Sequence, residues 1–371
     1  MDKKERIIKQ IKGEEVDRIP KIGGWNLGVQ NICDMAGIDR NSYAEDPFKA
    51  VIKANQNLGV DGITPPVIPT PEDELRNISL QEKDFDGIEP EAVLEKADSL
   101  PDSESAILAE FDATRYERHK REQYEKLIEK LDDLVLIPTL WSAPASFSFY
   151  FEFGYEAYLA AIALYPEAVE KLYWHSGILA RARNEVRVNL YSEFDLPPIL
   201  LCGDDICTAQ GPLCSPLFLK EHYWKYVKDA MEPFAKAGIR FIHHCDGNVM
   251  PLVDDMLASG FSGFQGFQYE FGVDPYILKE KAGDIDLLFL GGLSITYTLP
   301  SGTEDDIKAE VEYAMDYTDG GKGLFLFTSN VTGIDVPAKN LMTAYNYLDT
   351  LEPGWQSPRK KTTWPWLQKM K

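Results

Sequence analysis

Residues 239–260 read IRFIHHCDGNVMPLVDDMLASG, and this segment decides how the rest of the chain is interpreted. The apolar run from Ile239 to Ile242 has the length and β-branched content of a buried strand. Two imidazoles, a thiol and a carboxylate follow it directly, from His243 to Asp246. Such a cluster at a strand end is typical of a metal site or an acid/base site, and it is also compatible with the crowded end of a buried strand.

Seven further apolar runs of the same kind are distributed along the chain. They start near residues 19, 60, 134, 198, 261, 285 and 323 and end in Gly, Pro or polar residues. Amphipathic stretches such as residues 165–186 separate them, as helices would. The alternation predicts an α/β fold, a (β/α)8 barrel in which residues 1–371 form a single domain. The competing doubly wound sheet would require a Gly-rich phosphate fingerprint after the first strand, and that fingerprint is missing.

The connection between the second and third predicted strands, residues 67–133, is longer than an ordinary barrel connection. It contains the acidic stretch EDELRNISLQEKDFDGIEPEA at residues 72–92. We therefore predict an inserted helical and loop segment after the second strand.

Composition narrows the class of partner. The chain has 60 acidic and 38 basic residues, a net charge of −22, which disfavours nucleic acid and anionic membrane surfaces as partners. The charged N-terminal stretch has no apolar core of a signal peptide, and no later stretch has about 18 uninterrupted apolar residues, so we expect a cytoplasmic protein. Five cysteines in irregular spacing argue against a disulfide framework.

The C-terminal ends of the barrel strands, where a barrel builds its active site, are polar and aromatic. The candidate ligand-binding residues there are Trp25, Trp141, Gln210, Gln268 and Asn330. Arg and Lys are almost absent from these ends, so a neutral, aromatic or apolar small molecule fits better than a polyanion. The aromatic stretch at residues 140–158 either packs in the core or at a homodimer contact, or lines the mouth of this site.

The candidate catalytic residues are His244, Asp246 and Asp205. Because side chains alternate along a strand, His244 and Asp246 share one face, whereas His243 and Cys245 face the other way. Asp204 and Asp205 end the preceding strand, and one of them is expected to cap the following turn. The alternative is a hydrogen-bonded rim that carries out no chemistry.

Several blocks of the sequence, in order, resemble the uroporphyrinogen decarboxylase superfamily, which includes corrinoid-dependent methyltransferases. They are KKERIIKQIKGEEVDRIP at residue 3, YPEAVEKL at 165, GDD at 203, HCDGN at 244, FLGGLS at 289 and TSNVTGIDVPAKN at 328. The resemblance implies a (β/α)8 barrel. The decarboxylase branch carries an arginine-containing block near its N-terminus, where this chain has GGWNLGVQNICDM, so a polycarboxylate porphyrinogen is not the expected substrate.

The thiol-methylating branch holds zinc through His-x-Cys-Gly and a later Cys. Here His244 matches the His, Asp246 stands at the Cys position, and residues 329–331 supply no thiolate. We therefore expect no metal and interpret HHCDGN as an acid/base element. In the zinc-binding alternative, His244 would share the ion with Asp246, Glu270 or Cys245.

The resemblance then implies a methyltransferase that passes a methyl group from a small donor to the Co(I) corrinoid of a partner protein, as such enzymes do in anaerobes. An aromatic site without basic residues fits an aryl methyl ether, that is, O-demethylation. A decarboxylase-like lyase and a non-catalytic binding barrel are the alternatives.

Overall fold

The computed structural model describes residues 1–70, 72–73, 85, 87–140 and 143–358. Ten strands are present in that part of the chain, and eight of them lie at the eight predicted apolar runs. They are β1 (Ile22–Gly23), β2 (Gly62–Ile63), β3 (Val135–Leu136), β4 (Ile199–Gly203), β5 (Cys207–Thr208), β6 (Gly211–Pro212), β7 (Arg240–His244), β8 (Phe261–Gln265), β9 (Leu288–Leu293) and β10 (Leu324–Thr328).

The helices alternate with these strands. They are α1 (Lys3–Lys12), α2 (Val29–Ala36), α3 (Arg40–Glu45), α4 (Pro47–Asn57), α5 (Glu91–Ser99), α6 (Glu104–Ala109), α7 (Ala113–Ile128), α8 (Tyr150–Phe153), α9 (Tyr155–Leu164), α10 (Pro166–Glu193), α11 (Pro216–His222), α12 (Trp224–Lys236), α13 (Val253–Ser259), α14 (Pro275–Ala282), α15 (Thr298–Ser301), α16 (Glu304–Tyr317) and α17 (Ala338–Leu348). The predicted insertion after the second strand therefore includes α5, α6 and α7. None of the helices in the described ranges is long and apolar enough to cross a bilayer.

The chain divides into two compact units. The first consists of Met1–Ser79, Glu125–Thr139 and Gly263–Lys371, and the second of Leu80–Tyr124 and Leu140–Ser262. The organisation of residues 1–371 as a single domain stays a prediction.

In the first unit, parallel strands follow the order β3, β2, β1, β10, β9, β8, with β8 paired to β9 from Gly263 onward. A parallel bridge between Lys21 and Leu326 joins β1 to β10, the first and last strands in the chain. The apolar side chains of β9 and β10 are buried throughout, as expected for parallel strands covered on both faces. The helix α16 begins at a capping box formed by Thr303 and Asp306.

A network of ion pairs links the N-terminal segment to this sheet. Arg6 contacts Asp17 at 2.6 Å and Asp61 at 2.5 Å, and Arg18 contacts Asp61 at 2.8 Å. The buried Lys21 contacts Asp349 at 2.7 Å. Three residues of the N-terminal motif therefore stabilise the fold through ion pairs. They are Arg6, Asp17 and Arg18 of KKERIIKQIKGEEVDRIP.

In the second unit, β4 and β7 are parallel neighbours with Gly203 opposite His244. The long helix α10 packs on α12, and Asn184 of α10 donates to the carbonyl oxygen of Ala230 at 2.7 Å. The antiparallel hairpin β5–β6 follows the end of β4. This arrangement places the residues that follow β4 beside those that follow β7.

Candidate functional site

Gly203 allows the ends of β4 and β7 to approach each other. A Cβ atom at this position would overlap with the carbonyl oxygen of His244. The absence of a side chain therefore keeps the two strand ends in register. Asp205 and Asp246 each lie two residues beyond the paired Gly203 and His244.

Asp205, His244 and Asp246 converge at these strand ends. One potential ligand atom from each lies within 4.8 Å of the other two. His244 Nε2 is 3.9 Å from Asp205 Oδ1, and the backbone N–H of Asp246 donates to the same oxygen at 3.0 Å. The side chains are partly accessible, 21% exposed for His244 and 47% for Asp205. Two carboxylates and one imidazole can therefore meet a ligand together.

The residues on either side of His244 face the interior. His243 is buried, and burial together with the neighbouring His244 lowers its pKa to about 3, so this imidazole is neutral. Cys245 is also buried and its thiol donates to the carbonyl oxygen of Asp246 at 3.1 Å. Burial and the hydrogen bond with Cys207 raise the pKa of the Cys245 thiol well above its ordinary value. Neither side chain belongs to the Asp205–His244–Asp246 cluster.

The adjacent aspartates 204 and 205 have different roles. Asp204 is buried and accepts hydrogen bonds from the Phe147 N–H at 2.6 Å and from Ser148 Oγ at 2.7 Å. Burial raises the pKa of Asp204 to about 7. Asp204 therefore anchors the 147–148 backbone, while Asp205 is left at the accessible end of the strand.

The aromatic segment borders the cluster through Tyr150. The Tyr150 hydroxyl donates to the backbone carbonyl of Asp205 at 3.1 Å, and its ring stacks on Tyr155 with centroids 4.4 Å apart. Tyr155 remains 51% exposed. Sequence reasoning identified the aromatic density of this segment but did not single out these two residues. An exposed ring stacked on a fixed one offers a flat surface close to Asp205.

The hairpin β5–β6 carries Gln210 and contacts the loop after β7. Gln210 is exposed, and its side chain accepts a hydrogen bond from Thr208 Oγ1 at 3.2 Å. The Thr208 carbonyl accepts from the Asn248 N–H at 2.8 Å, and a Cβ at Gly247 would overlap with that carbonyl. The hairpin therefore fixes the course of residues 247–248.

The remaining sequence-predicted residues lie elsewhere in the chain. Trp25, Gln268 and Asn330 belong to the first unit, and Trp141 lies outside the described residues. Trp25 is 5% exposed and its ring packs at 4.8 Å from that of Phe327, and its role in ligand binding stays a prediction. Gln268 is buried, and Asn330 Oδ1 accepts from the Val331 N–H at 2.6 Å.

Comparisons with known proteins give information on the fold. No protein-family model and no curated protein matches the chain. Among solved structures, a methyltransferase from Methanosarcina mazei is similar, with a TM-score of 0.60 and 17% sequence identity. The match covers 94% of this chain and 99% of that protein. At this identity the likeness establishes a shared fold over nearly the whole length.

Proposed function

We propose that this protein is a methyltransferase that moves a methyl group from a small donor, an aryl methyl ether, to the Co(I) corrinoid of a partner protein. The observation that carries the proposal is the convergence of Asp205, His244 and Asp246 at two neighbouring strand ends. The sequence resemblance and the fold shared with a methyltransferase from Methanosarcina mazei support the class of reaction.

We also propose that the strands form a complete (β/α)8 barrel. Its support is the parallel bridge that joins the first strand, β1, to the last, β10, in the first unit. In a barrel of parallel strands this neighbour relation closes the sheet. The residues after β4 and β7 would then belong to the C-terminal face, where barrel enzymes place their active sites.

The proposed chemistry requires a proton at the ether oxygen. The carbon–oxygen bond breaks as the methyl group leaves, and its electron pair stays on oxygen, so a phenolate forms unless a proton arrives. The Co(I) corrinoid of the partner protein, when bound, would supply the electron pair for the new bond to the methyl carbon. His244 would donate the proton, and the carboxylates of Asp205 and Asp246 would orient its imidazole and stabilise its charged form.

Accessibility of the site agrees with a cofactor held by another protein. Asp205 is 47% exposed and Tyr155 is 51% exposed, so both can contact molecules presented from outside this unit. The stacked pair of Tyr150 and Tyr155 would hold the aromatic ring of the donor.

The cluster also supports a metal-binding alternative. Zinc normally takes at least three protein ligands, and Asp205 provides the third donor that the sequence motif did not supply. Glu270 and Cys245 do not belong to this group within the described chain. In this case the ion, held by His244 and the two carboxylates, would polarise the ether oxygen.

The test adds a panel of methyl donors to the protein with Co(I) cobalamin and follows the cobalt absorption spectrum. We expect turnover with methoxyaromatic donors and not with methylamines. Loss of carbon dioxide from a carboxylate substrate without a cobalt change would support a lyase, and saturable binding without turnover would support a binding barrel.

A chelator distinguishes the two forms of the site. In the metal-free proposal, purified protein contains little zinc and chelation leaves the transfer rate unchanged. Stoichiometric zinc, with activity lost on chelation and restored by the ion, would establish the metal-binding alternative instead.

A further inference from the structure

The second unit contains a surface cleft of about 520 Å³ between α7 and α10. Its size falls within the range of small-molecule sites. It is lined by Phe111, Arg115, Tyr116, Arg118, His119 and Arg183. None of these residues belongs to the Asp205–His244–Asp246 cluster, so the cleft is a separate feature of the molecule.

Three arginines line this cleft, and all three are exposed. Arg115, Arg118 and Arg183 have no carboxylate within ion-pair distance in the described part of the chain. On the same two helices, Arg121 pairs with Glu117 and Glu193, and Arg181 pairs with Glu104. In a chain of net charge −22, the carboxylates available for pairing outnumber the cations.

A buried cation lies behind the lining. Arg187 is only 8% exposed, and the partners of its guanidinium are Asn184 Oδ1, at 2.8 Å, and the Tyr116 ring, at 5.4 Å. No carboxylate pairs with it among the residues that the structure describes. A buried charge normally has a counter-charge, because desolvation without one is costly.

The Tyr116 hydroxyl, like the Arg187 guanidinium, lacks among the described residues a partner of the kind that a bound ligand could supply. It is buried and has no hydrogen-bond partner within the described ranges. Burial, together with the charges of Arg187 and Arg183, also lowers the pKa of the nearby Lys120.

Carboxylates also line the cleft, at Glu110, Asp112 and Glu122. Asp112 accepts the Arg115 N–H at 2.9 Å and is committed to the start of α7. Within the lining, these three carboxylates equal the three arginines in number. The further positive charge comes from two residues outside the lining, Lys120 and the buried Arg187.

We propose that this cleft binds a small phosphate-bearing anion. Guanidinium groups match phosphate oxygens with paired hydrogen bonds, and the Tyr116 hydroxyl adds a neutral donor. The rings of Phe111 and Tyr116, with centroids 5.6 Å apart, provide an apolar wall for the rest of such a molecule. This site goes beyond methyl transfer, which does not require it.

Calorimetric titration of the full-length protein with inorganic phosphate, pyrophosphate and ATP tests the proposal. We expect saturable one-to-one binding of pyrophosphate or ATP that weakens as salt is added. The triple variant R115Q/R118Q/R183Q should bind about tenfold or more weakly. The control K220Q/K228Q/K236Q makes the same change of net charge on exposed lysines of α11 and α12, and should bind as wild type.

Tyr116→Phe probes the hydroxyl while keeping the ring below Arg187, and should weaken pyrophosphate binding by about threefold to tenfold. Absence of saturable binding, or equal losses in the arginine and lysine variants, would overturn the proposal. Binding of hexaglutamate but of none of the phosphates would also overturn it, because the cleft would then dock an acidic polypeptide.

Discussion

Each of the two units contains a cluster of charged side chains, and the two clusters differ in the signs of the charges that they bring together. In the first unit, Asp61 is fully buried and accepts charge-assisted hydrogen bonds from both Arg6 and Arg18. In the second unit, the carboxylates of Asp205 and Asp246 converge with the imidazole of His244. The first cluster balances opposite charges, and the second concentrates groups that accept protons.

This difference in charge balance suits the first cluster to stabilising the fold and the second to binding or catalysis. A carboxylate between two guanidinium groups holds distant parts of the chain together, and the hydrogen bond from Arg6 lowers the pKa of Asp17 in the same network. Carboxylates that converge without a guanidinium are poorly suited to holding a fold together and well suited to binding a cation or moving a proton. The two clusters should therefore respond differently to substitution.

The largest effect is expected at His244. His244→Gln should lower the methyl-transfer rate by about 10²- to 10⁴-fold, because the proton donor is lost. The variant should unfold in urea within about 1 kcal/mol of wild type, because the side chain is partly exposed. Cobalt spectroscopy measures the first quantity. If His244→Gln were as active as wild type, the Asp205–His244–Asp246 cluster would have no catalytic role to set against the structural role of the Asp61 cluster.

Asp61→Ala should have the opposite profile. It leaves Arg6 without its buried partner and should lower the free energy of unfolding by about 3–5 kcal/mol. The control is Glu5→Ala, which breaks the partly exposed pair with Lys9 at 3.3 Å and should change the stability by less than about 1 kcal/mol. Urea titration measures both variants, and equal losses would contradict the structural role of Asp61.

Asp204 is a buried carboxylate beside the second cluster, and its effect on the pH dependence of stability can be measured separately from both clusters. Because its pKa in the folded protein is raised to about 7, the folded state binds the proton more tightly than the unfolded chain does. Its contribution to stability is therefore present at low pH and is lost as the pH rises from about 4 to about 7.

Asp204→Asn removes this titration and keeps one acceptor oxygen for the Phe147 N–H, while its amide NH2 can donate to Ser148 Oγ. Relative to the variant, wild type should lose up to a few kcal/mol of unfolding free energy between about pH 4 and pH 8. The difference between the two curves is the quantity to measure, because Glu310, whose pKa is raised to about 8, titrates in both proteins. Parallel curves would show that Asp204 is ionised throughout.

The smallest expected effect concerns the aromatic border of the second cluster. Tyr155→Ala should raise the donor KM by about tenfold or less with little change in kcat, because the ring holds ground and transition states alike. Leu164→Ala, at an exposed apolar position on the same helix, is the matched control. Equal falls in kcat and kcat/KM would instead assign Tyr155 to the transition state.

The strands were predictable because each combines an apolar run with a polar or glycine stop. The hairpin β5–β6 was not, since its strands have two residues each and no periodicity can be read from them. The predicted shared face of His244 and Asp246 rests on strand alternation, but the strand ends at His244, so the proximity of Asp246 also depends on the loop that follows. The different roles of Asp204 and Asp205 required the structure, because they depend on the hydrogen bonds that Phe147 and Ser148 donate across more than fifty residues of sequence.

Trp25 shows that the position of a residue at a strand end does not give the exposure of its side chain. Its position after β1 is where a ligand-binding residue is expected, but packing against Phe327 buries its ring. Tyr155 shows the converse, because an aromatic residue inside a dense apolar stretch turned out to be half exposed. The density of aromatic residues in the sequence indicates where aromatic side chains are concentrated, and tertiary packing decides which of their rings is exposed to solvent.

Gly203 limits how this protein can be altered. Any other residue there would force the end of β7 away from β4, since its first side-chain atom would occupy the space of the His244 carbonyl. Libraries that seek a new ligand preference can vary Tyr155 or Gln210 and retain the geometry of the Asp205–His244–Asp246 cluster. In a library that also varied position 203, most variants would no longer hold Asp205 close to His244. Their loss of binding would then be mistaken for an effect of the residues that contact the ligand.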